Sequence, residues 1–296
     1  MAVNLGVTLG LSSGLCWGAA DFFGGIQARR LPALTVAFWS QVAGAVGLAI
    51  ALGIGGPRPA GAAIAWGAAA GVGSGCALAL FYRALADGTM SVVAPVSACG
   101  AILPVLAALL TGDQPGAIAG LGVVTAIAGV VLVSGTNPTR PGPTDQGRQG
   151  RPGRMLGMAL GAAVGFGLFY VLVDAGTAAA GASGSRGSPL WVIAGARAGS
   201  LLTLSTIALV GRRSALRWPG RRMGPVALVG IADTGANLLF AYAATAGNLA
   251  VVGVLGSLYP VATVVLARWL LGERLSAGQN AGVVLALTGV GLLAAA

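Results

Sequence analysis

Long apolar segments alternate with short polar segments along most of the chain. A helix that crosses a bilayer needs about 20 mainly apolar residues, because each residue advances it by about 1.5 Å. Strands of a membrane barrel would instead alternate apolar and polar residues. The pattern predicts an all-α membrane protein with ten transmembrane helices, near residues 4–25, 33–54, 61–82, 89–111, 116–135, 155–176, 189–211, 223–244, 249–271 and 277–296.

The composition supports a membrane protein. Of the 296 residues, 56% are hydrophobic and 8% are charged, against about 25% charged residues in an ordinary soluble domain. A soluble fold could not hide so much apolar surface from water. The N-terminal segment lacks a basic leader and a clean cleavage site. We therefore interpret it as a first membrane span, and not as a signal peptide.

The chain contains an internal repeat. With an offset of 160 residues, the segment from Tyr82 to Leu132 aligns without a gap, with 18 identities in 51 positions. Tyr82 aligns with Tyr242, and Asp113 aligns with Glu273. We predict a first repeat at residues 1–135, a flexible basic linker rich in Gly, Pro and Arg at 136–154, and a second repeat at 155–296.

Each repeat contains five predicted helices, and an odd number makes the second copy enter the membrane from the opposite side. Such inverted repeats give a protein two nearly equivalent conformations, one open to each side, which is the physical basis of alternating access. Duplication kept for packing alone is the competing interpretation.

The basic residues predict an orientation. All 17 are Arg, and 14 of them fall in loops or span ends on one side of the ten-span topology. Because basic loops remain in the cytoplasm, we predict that both termini are extracytoplasmic in the cell (plasma) membrane.

Several motifs carry a family resemblance. They are Trp17-Gly18, Tyr82 to Leu85, Pro95, Pro104, and the run Leu258 to Leu293 with Pro260 and the turn Gly272-Glu273-Arg274. The chain resembles the EamA-type branch of the drug/metabolite transporter superfamily over essentially its whole length. The first repeat departs from the pattern, because Gly112-Asp113-Gln114 lacks the arginine and Gly100 occupies the position that matches Pro260. The resemblance implies a ten-helix secondary transporter, often an exporter of amino acids, metabolites or toxic compounds.

Charged groups within spans are the first candidates for function, because burying charge in hydrocarbon is costly. Asp233 lies near the middle of the eighth predicted span, with Asn237 one helical turn later on the same face. A carboxylate there could exchange a proton or pair with a cationic group of a substrate. Arg197 in the seventh span offers the alternative of a static ion pair.

Other polar and aromatic side chains are weaker candidates for the pathway. Asp21 lies near the inner end of the first predicted span and Asp174 near the outer end of the sixth, at opposite membrane depths, where they could gate access or simply face interfacial water. Aromatic faces suit flat or cationic solutes, although lipid-interface packing is the alternative. The aromatic candidates are Trp17, Tyr170, Tyr242 and Tyr259, and the weak polar wall candidates are Ser74, Ser97, Ser257 and Gln41.

Prolines and glycines within spans predict features of the backbone. Pro95, Pro104 and Pro260 remove helical hydrogen bonds and are predicted to kink their spans. Glycines spaced by four, as at Gly67, Gly71 and Gly75, predict close internal helix packing, with dimerisation as the competing use. The oligomeric state, monomer or homodimer, stays open.

Some functions are disfavoured by the sequence. No His or Lys is present, and the three cysteines form no C-x-x-C pair, so we expect no metal, no cofactor and no hydrolase triad. The arginines lie between apolar runs, so nucleic acid is not the expected partner. We predict a secondary transporter, and not an enzyme, which exports a small organic metabolite, amino acid or drug-like compound with protons. The alternatives are an importer or antiporter on the same scaffold, and a non-transporting membrane scaffold or accessory subunit.

Overall fold

A computed structural model describes residues 2–53, 61–110, 112, 116–135, 152–182, 188–211, 216–246, 255–256 and 259–295. Every regular element within these ranges is helical. The helices are α1 (Ala2–Ala28), α2 (Ala33–Gly53), α3 (Gly61–Asp87), α4 (Met90–Ala98), α5 (Ile102–Leu110), α6 (Ala117–Gly135), α7 (Pro152–Ala182), α8 (Ser188–Gly211), α9 (Met223–Ala246), α10 (Tyr259–Leu270) and α11 (Ala277–Ala295). A 3-10 turn at Cys99–Ala101 joins α4 to α5, so these two helices form one span. Every other helix is a span of its own, and the prediction of ten spans is confirmed.

The helices have the length and composition of membrane spans. Six segments are long and apolar enough to cross a membrane, while α6, α10 and α11 contain shorter apolar stretches, and α1 has 27 residues. Several helices continue past the predicted apolar run; α3, for example, ends at Asp87. Backbone hydrogen bonds, and not hydropathy, decide where a helix ends, so helices extend beyond the hydrocarbon.

Helix packing repeats when the two halves are exchanged. The third helix of the first half, α3, packs against α7 and α8, the first two helices of the second half. The third helix of the second half, α9, packs against α1 and α2 in the same way. The fifth helices, α6 and α11, pack against each other. This reciprocity is the signature of a two-fold relation between the repeats.

Contacts along α3 and α8 show that the repeats are inverted. Gly67 lies against Val192, and Gly75 lies two turns later against Thr203, so the two helices run parallel. Since α2 precedes α3 in the chain and crosses the membrane in the opposite direction, α2 is antiparallel to α8. These two are the second helices of their repeats, and the predicted inversion is confirmed.

Glycine permits the close approach of α3 and α8. A Cβ added at Gly71 would overlap the carbonyl oxygen of Ala196, and one at Gly199 would overlap that of Ala68. The spacing by four at these positions therefore serves internal packing, as predicted. Gly157, in contrast, has open space around its added Cβ.

Two of the predicted proline kinks fall on the described fourth span. Pro104 has no amide hydrogen to give to the carbonyl of Gly100, and the 3-10 turn at Cys99–Ala101 lies just before it. Pro95 lies inside α4, which remains helical around it. Pro260 is the second residue of α10, where helices tolerate proline. Because residues 257–258 lie outside the described ranges, a kink at Pro260 stays a prediction.

Candidate functional site

Three helices bring a buried ion pair together near the middle of the membrane. Arg197 of α8 donates from Nη2 to Oδ2 of Asp233 on α9 at 2.5 Å and from Nη1 to Oε1 of Gln41 on α2 at 2.7 Å. Arg197 and Asp233 lie near the centres of helices that are each 24 residues long. The Arg197 side chain is 10% exposed, whereas that of Asp233 is 29% exposed. The guanidinium thus bridges the two repeats, and the carboxylate keeps one accessible side.

A second acid lies close to this pair. The charge of Asp21 on α1 acts on that of Asp233, and both act on Tyr82 of α3 and Tyr170 of α7. Among the described residues Asp21 forms no ion pair. Two carboxylates against one guanidinium give the group a formal charge of one negative unit when both acids are ionised. Asp21 therefore belongs to the same polar centre as Asp233, and not to a separate interfacial site.

Two tyrosines lie near this centre. Tyr170 of α7 is 40% exposed and interacts electrostatically with Asp21 and Asp233. Tyr82 of α3, in contrast, is buried and shares a hydrogen bond with the side chain of Ser40.

Aromatic rings form a wall beside the acids. The ring centroid of Trp17 lies 5.6 Å from that of Phe240 and 6.4 Å from that of Tyr259. Tyr259 in turn interacts electrostatically with Asp21 and Tyr170. The three rings come from α1, α9 and α10, so both repeats contribute to the wall. Negative charge next to ring faces is an arrangement that suits flat organic cations.

An apolar groove leads to the same arginine. It encloses about 530 Å³ between the C-terminal half of α2 and the N-terminal half of α8. Its lining is apolar apart from Arg197 and consists of Ala45, Leu48, Ala49, Leu52, Gly53, Trp191, Ala194, Ala198 and Leu201. The small side chains of the four alanines, and the absence of a side chain at Gly53, leave the space between the two helices open.

Comparison with known protein families agrees with this architecture. The profile of the EamA-like transporter family matches residues 4–135 and again residues 153–295. The chain belongs to the EamA-like transporter family. It is therefore a multi-pass membrane transporter of the drug/metabolite type, and each match corresponds to one five-helix repeat.

A solved structure shares the fold of this EamA-like transporter. The crystal structure, described only as that of a protein, aligns with a TM-score of 0.57 and 18% sequence identity. The alignment covers 98% of this chain and 96% of the other. At that identity the likeness concerns the fold alone. A search of curated proteins finds no match.

The predicted site residues of the transporter do not all meet. Arg197, Asp233, Asp21, Tyr170, Trp17 and Tyr259 come together around the polar centre as described above. The Asn237 amide instead donates to the backbone carbonyl of Asp233 at 2.6 Å, which is a local helical contact. Tyr242 is 60% exposed, and Asp174 is exposed towards the C-terminal end of α7. Ser257 lies outside the described residues.

Sequence reasoning gave too little weight to three residues at the centre. Gln41 was only a weak wall candidate, yet it accepts a hydrogen bond from Arg197. Tyr82 and Phe240 were not among the site candidates at all. For Tyr82 a signal existed, because the repeat pairs it with Tyr242, and a tyrosine kept in both repeats could have drawn attention to either copy. Phe240 had no comparable signal.

A second buried ion pair links the two repeats at the helix ends. Glu273 accepts hydrogen bonds from the backbone amides of Met90 and Ser91, both at 2.9 Å, and from Nη2 of Arg29 at 3.3 Å. We call this group the Glu273 clamp. The carboxylate caps the N-terminus of α4, where helices favour negative charge. Gly272, in the left-handed conformation with φ +65°, turns the chain just before it.

Proposed function

We propose that the protein is a proton-linked exporter that moves a small organic compound across the membrane by alternating access. The proposal is supported chiefly by one observation: two acids, Asp21 and Asp233, lie within electrostatic range of each other where the inverted repeats pack together, and one arginine, Arg197, pairs with Asp233. Inverted repeats supply two related conformations. A titratable group at their interface biases those conformations when its charge changes.

The charges favour exchange of a proton for an organic cation. Arg197 offsets one of the two carboxylates, which leaves one negative charge for either a proton or a basic nitrogen of the substrate. A proton and a cationic substrate cannot both neutralise the same negative charge at once, so binding of one favours release of the other. The wall of Trp17, Phe240 and Tyr259 suits a flat or aromatic body next to that nitrogen.

The substrate is best found by binding before transport is measured. We expect a thermal-shift screen of the purified protein against metabolites and drug-like compounds to identify stabilising ligands, because binding raises stability by mass action. In proteoliposomes, a compound identified by this screen should then move against its own concentration gradient while protons flow in the opposite direction. Flux in the same direction as the protons would identify an importer, and flux indifferent to the gradient would remove proton coupling.

Asp21 tests the charge argument in the same assay. Asp21→Asn removes the negative charge that Arg197 does not offset, so we expect exchange driven by the gradient to fall roughly 100-fold, a coupling within the usual range for linked sites. Tyr242→Phe, which removes a hydroxyl from an exposed tyrosine, is the matched control and should transport as wild type does. Equal coupling in the Asp21→Asn variant and the wild type would exclude Asp21.

The proposed orientation places the arginine-rich loops in the cytoplasm and both termini outside the plasma membrane. A tag at the C-terminus should then react with an antibody or a protease added to intact cells. A tag that reacts only after the cells are permeabilised would reverse the orientation.

A further inference from the structure

The loop between α8 and α9 presents a basic and aromatic surface that the transport site does not use. Its described part, residues 216–222, contains Arg217, Trp218, Arg221 and Arg222. Trp218 is 61% exposed, and Arg217 and Arg221 are exposed as well. We call residues 216–222 the Trp218 loop.

Packing against α2 holds the Trp218 loop in place. The indole Nε1 of Trp39 donates to the backbone carbonyl of Arg217 at 3.2 Å, and the Trp39 and Trp218 rings meet edge to face at 4.9 Å. Pro219 is buried, and Gly220 adopts a left-handed φ of +62°. Before any ligand binds, the loop backbone therefore has a fixed conformation, which reduces the entropy lost on binding.

The charges on the Trp218 loop are not neutralised within the described part of the chain. The ion pairs there join Arg29 to Glu273, Arg83 to Asp87 and Arg197 to Asp233. Arg217, Arg221 and Arg222 have no carboxylate partner among those residues. Each guanidinium is free to form paired hydrogen bonds with a phosphate, which it recognises better than lysine does.

The position of the Trp218 loop relative to the membrane indicates that the phosphate belongs to a lipid. Exposed tryptophan favours the interface between hydrocarbon and water, and Trp218 adjoins the arginines in sequence. A guanidinium at this depth meets lipid headgroups first. We propose that the Trp218 loop is a binding site for an anionic phospholipid, whose phosphate pairs with the arginines while its glycerol and upper acyl chains lie against Trp218.

Native mass spectrometry of the full-length protein in detergent tests the proposal. Dioleoyl phosphatidylglycerol and dioleoyl phosphatidylcholine have the same acyl chains and differ in headgroup charge. The wild type should bind the anionic lipid more tightly. The variant R217Q/R221Q/R222Q should lose that preference by roughly fivefold for each arginine removed. The matched control R30Q/R154Q/R268Q removes the same charge elsewhere on the arginine-rich side and should bind within about twofold of wild type.

Two results would overturn the proposal. One is equal affinity of the wild type for the two lipids, and the other is an equal loss in both triple variants, which would mean that only total charge matters. If the first triple variant does not fold, the Trp39→Phe variant, which lacks the indole donor to Arg217, provides the second measurement. It should weaken phosphatidylglycerol binding and leave phosphatidylcholine binding unchanged, and binding equal to wild type would again contradict the proposal.

Discussion

Two pairs of arginine and carboxylate lie where the repeats pack together, and they differ in how fully the carboxylate is satisfied. The Arg29–Glu273 pair joins the repeats directly, whereas the Arg197–Asp233 pair reaches the first repeat through Gln41. In the Glu273 clamp, the carboxylate is 1% exposed and accepts from Arg29 and from two backbone amides at the start of α4. At mid-membrane, the Asp233 carboxylate is 29% exposed and accepts only from Arg197 among the described residues. A second acid, Asp21, acts on Asp233.

We infer a structural role for the clamp from this difference, and we propose a functional role for Asp233. Moving Glu273 would separate the buried Arg29 from its carboxylate and leave two backbone amides without their acceptor, so the clamp resists change. Asp233 has unmet acceptor capacity, an accessible side and a neighbouring charge of the same sign. Its protonation or its pairing can therefore change at lower cost. Burial of an ion pair alone does not identify a functional group; incomplete satisfaction next to a second acid is the more informative feature.

The largest expected effect is on coupled transport. In Asp233→Asn, Arg197 would neutralise Asp21, and no negative charge would remain to alternate between proton and substrate. We expect gradient-driven flux in proteoliposomes to fall roughly 100-fold, while the protein remains inserted and folded by circular dichroism. Undiminished proton-coupled flux would remove Asp233 from the mechanism.

A charge-balanced variant distinguishes an exchanging pair from a static one. Replacing both partners in R197Q/D233N removes the ion pair without stranding either partner, a change that proteins often tolerate, and it leaves the negative charge of Asp21 at the centre. If Asp233 itself must exchange its partner during transport, this variant loses coupling although the net charge is kept. Coupling kept at the wild-type level would make the pair a static support.

The second prediction concerns the clamp. Glu273→Gln keeps the size of the side chain but leaves Arg29 without its carboxylate, so we expect the free energy of unfolding to fall by about 3–5 kcal/mol. Unfolding in detergent, followed by circular dichroism, measures this loss. Transport per folded molecule should stay within about twofold of wild type, because the clamp lies away from the polar centre. Loss of transport in fully folded protein would contradict the assignment.

The sequence was sufficient for the ten spans and their inversion, because hydropathy and the parity of helix count depend only on the order of residues. One alternative from the sequence, a static ion pair between Arg197 and Asp233, likewise predicted the contact that the structure shows. The meeting of Asp21 with Asp233 could not be predicted, because it depends on how α1 packs against α9, and residues of the Ala, Gly and Val type give little indication of packing partners. Phe240 was missed for the same reason, whereas Tyr82 did carry a signal in its repeat partner Tyr242.

The third prediction addresses the support of Arg197. Gln41 is buried and accepts from Nη1 at 2.7 Å, so Gln41→Met should leave one guanidinium donor unmet. Hydrogen bonds to charged groups contribute about 1.5–3 kcal/mol, and we expect an unfolding free energy lower by that amount. Gln41→Glu, which keeps an acceptor, is the control for an effect of the lost hydrogen bond. Equal stability of the Met variant and wild type would show that water replaces the amide.

The smallest effect is expected at the ion pair of Arg83 with Asp87, one turn apart on α3. The atoms meet at 2.7 Å, yet the Arg83 side chain is 50% exposed. Exposed pairs at this spacing contribute about 0.3–0.5 kcal/mol, so Arg83→Gln should be nearly as stable as wild type in the same unfolding assay. The short distance makes this variant a strict test of the comparison between the two buried pairs. If Arg83→Gln lost as much stability as Glu273→Gln, then burial and the amides of α4 would not explain the strength of the clamp.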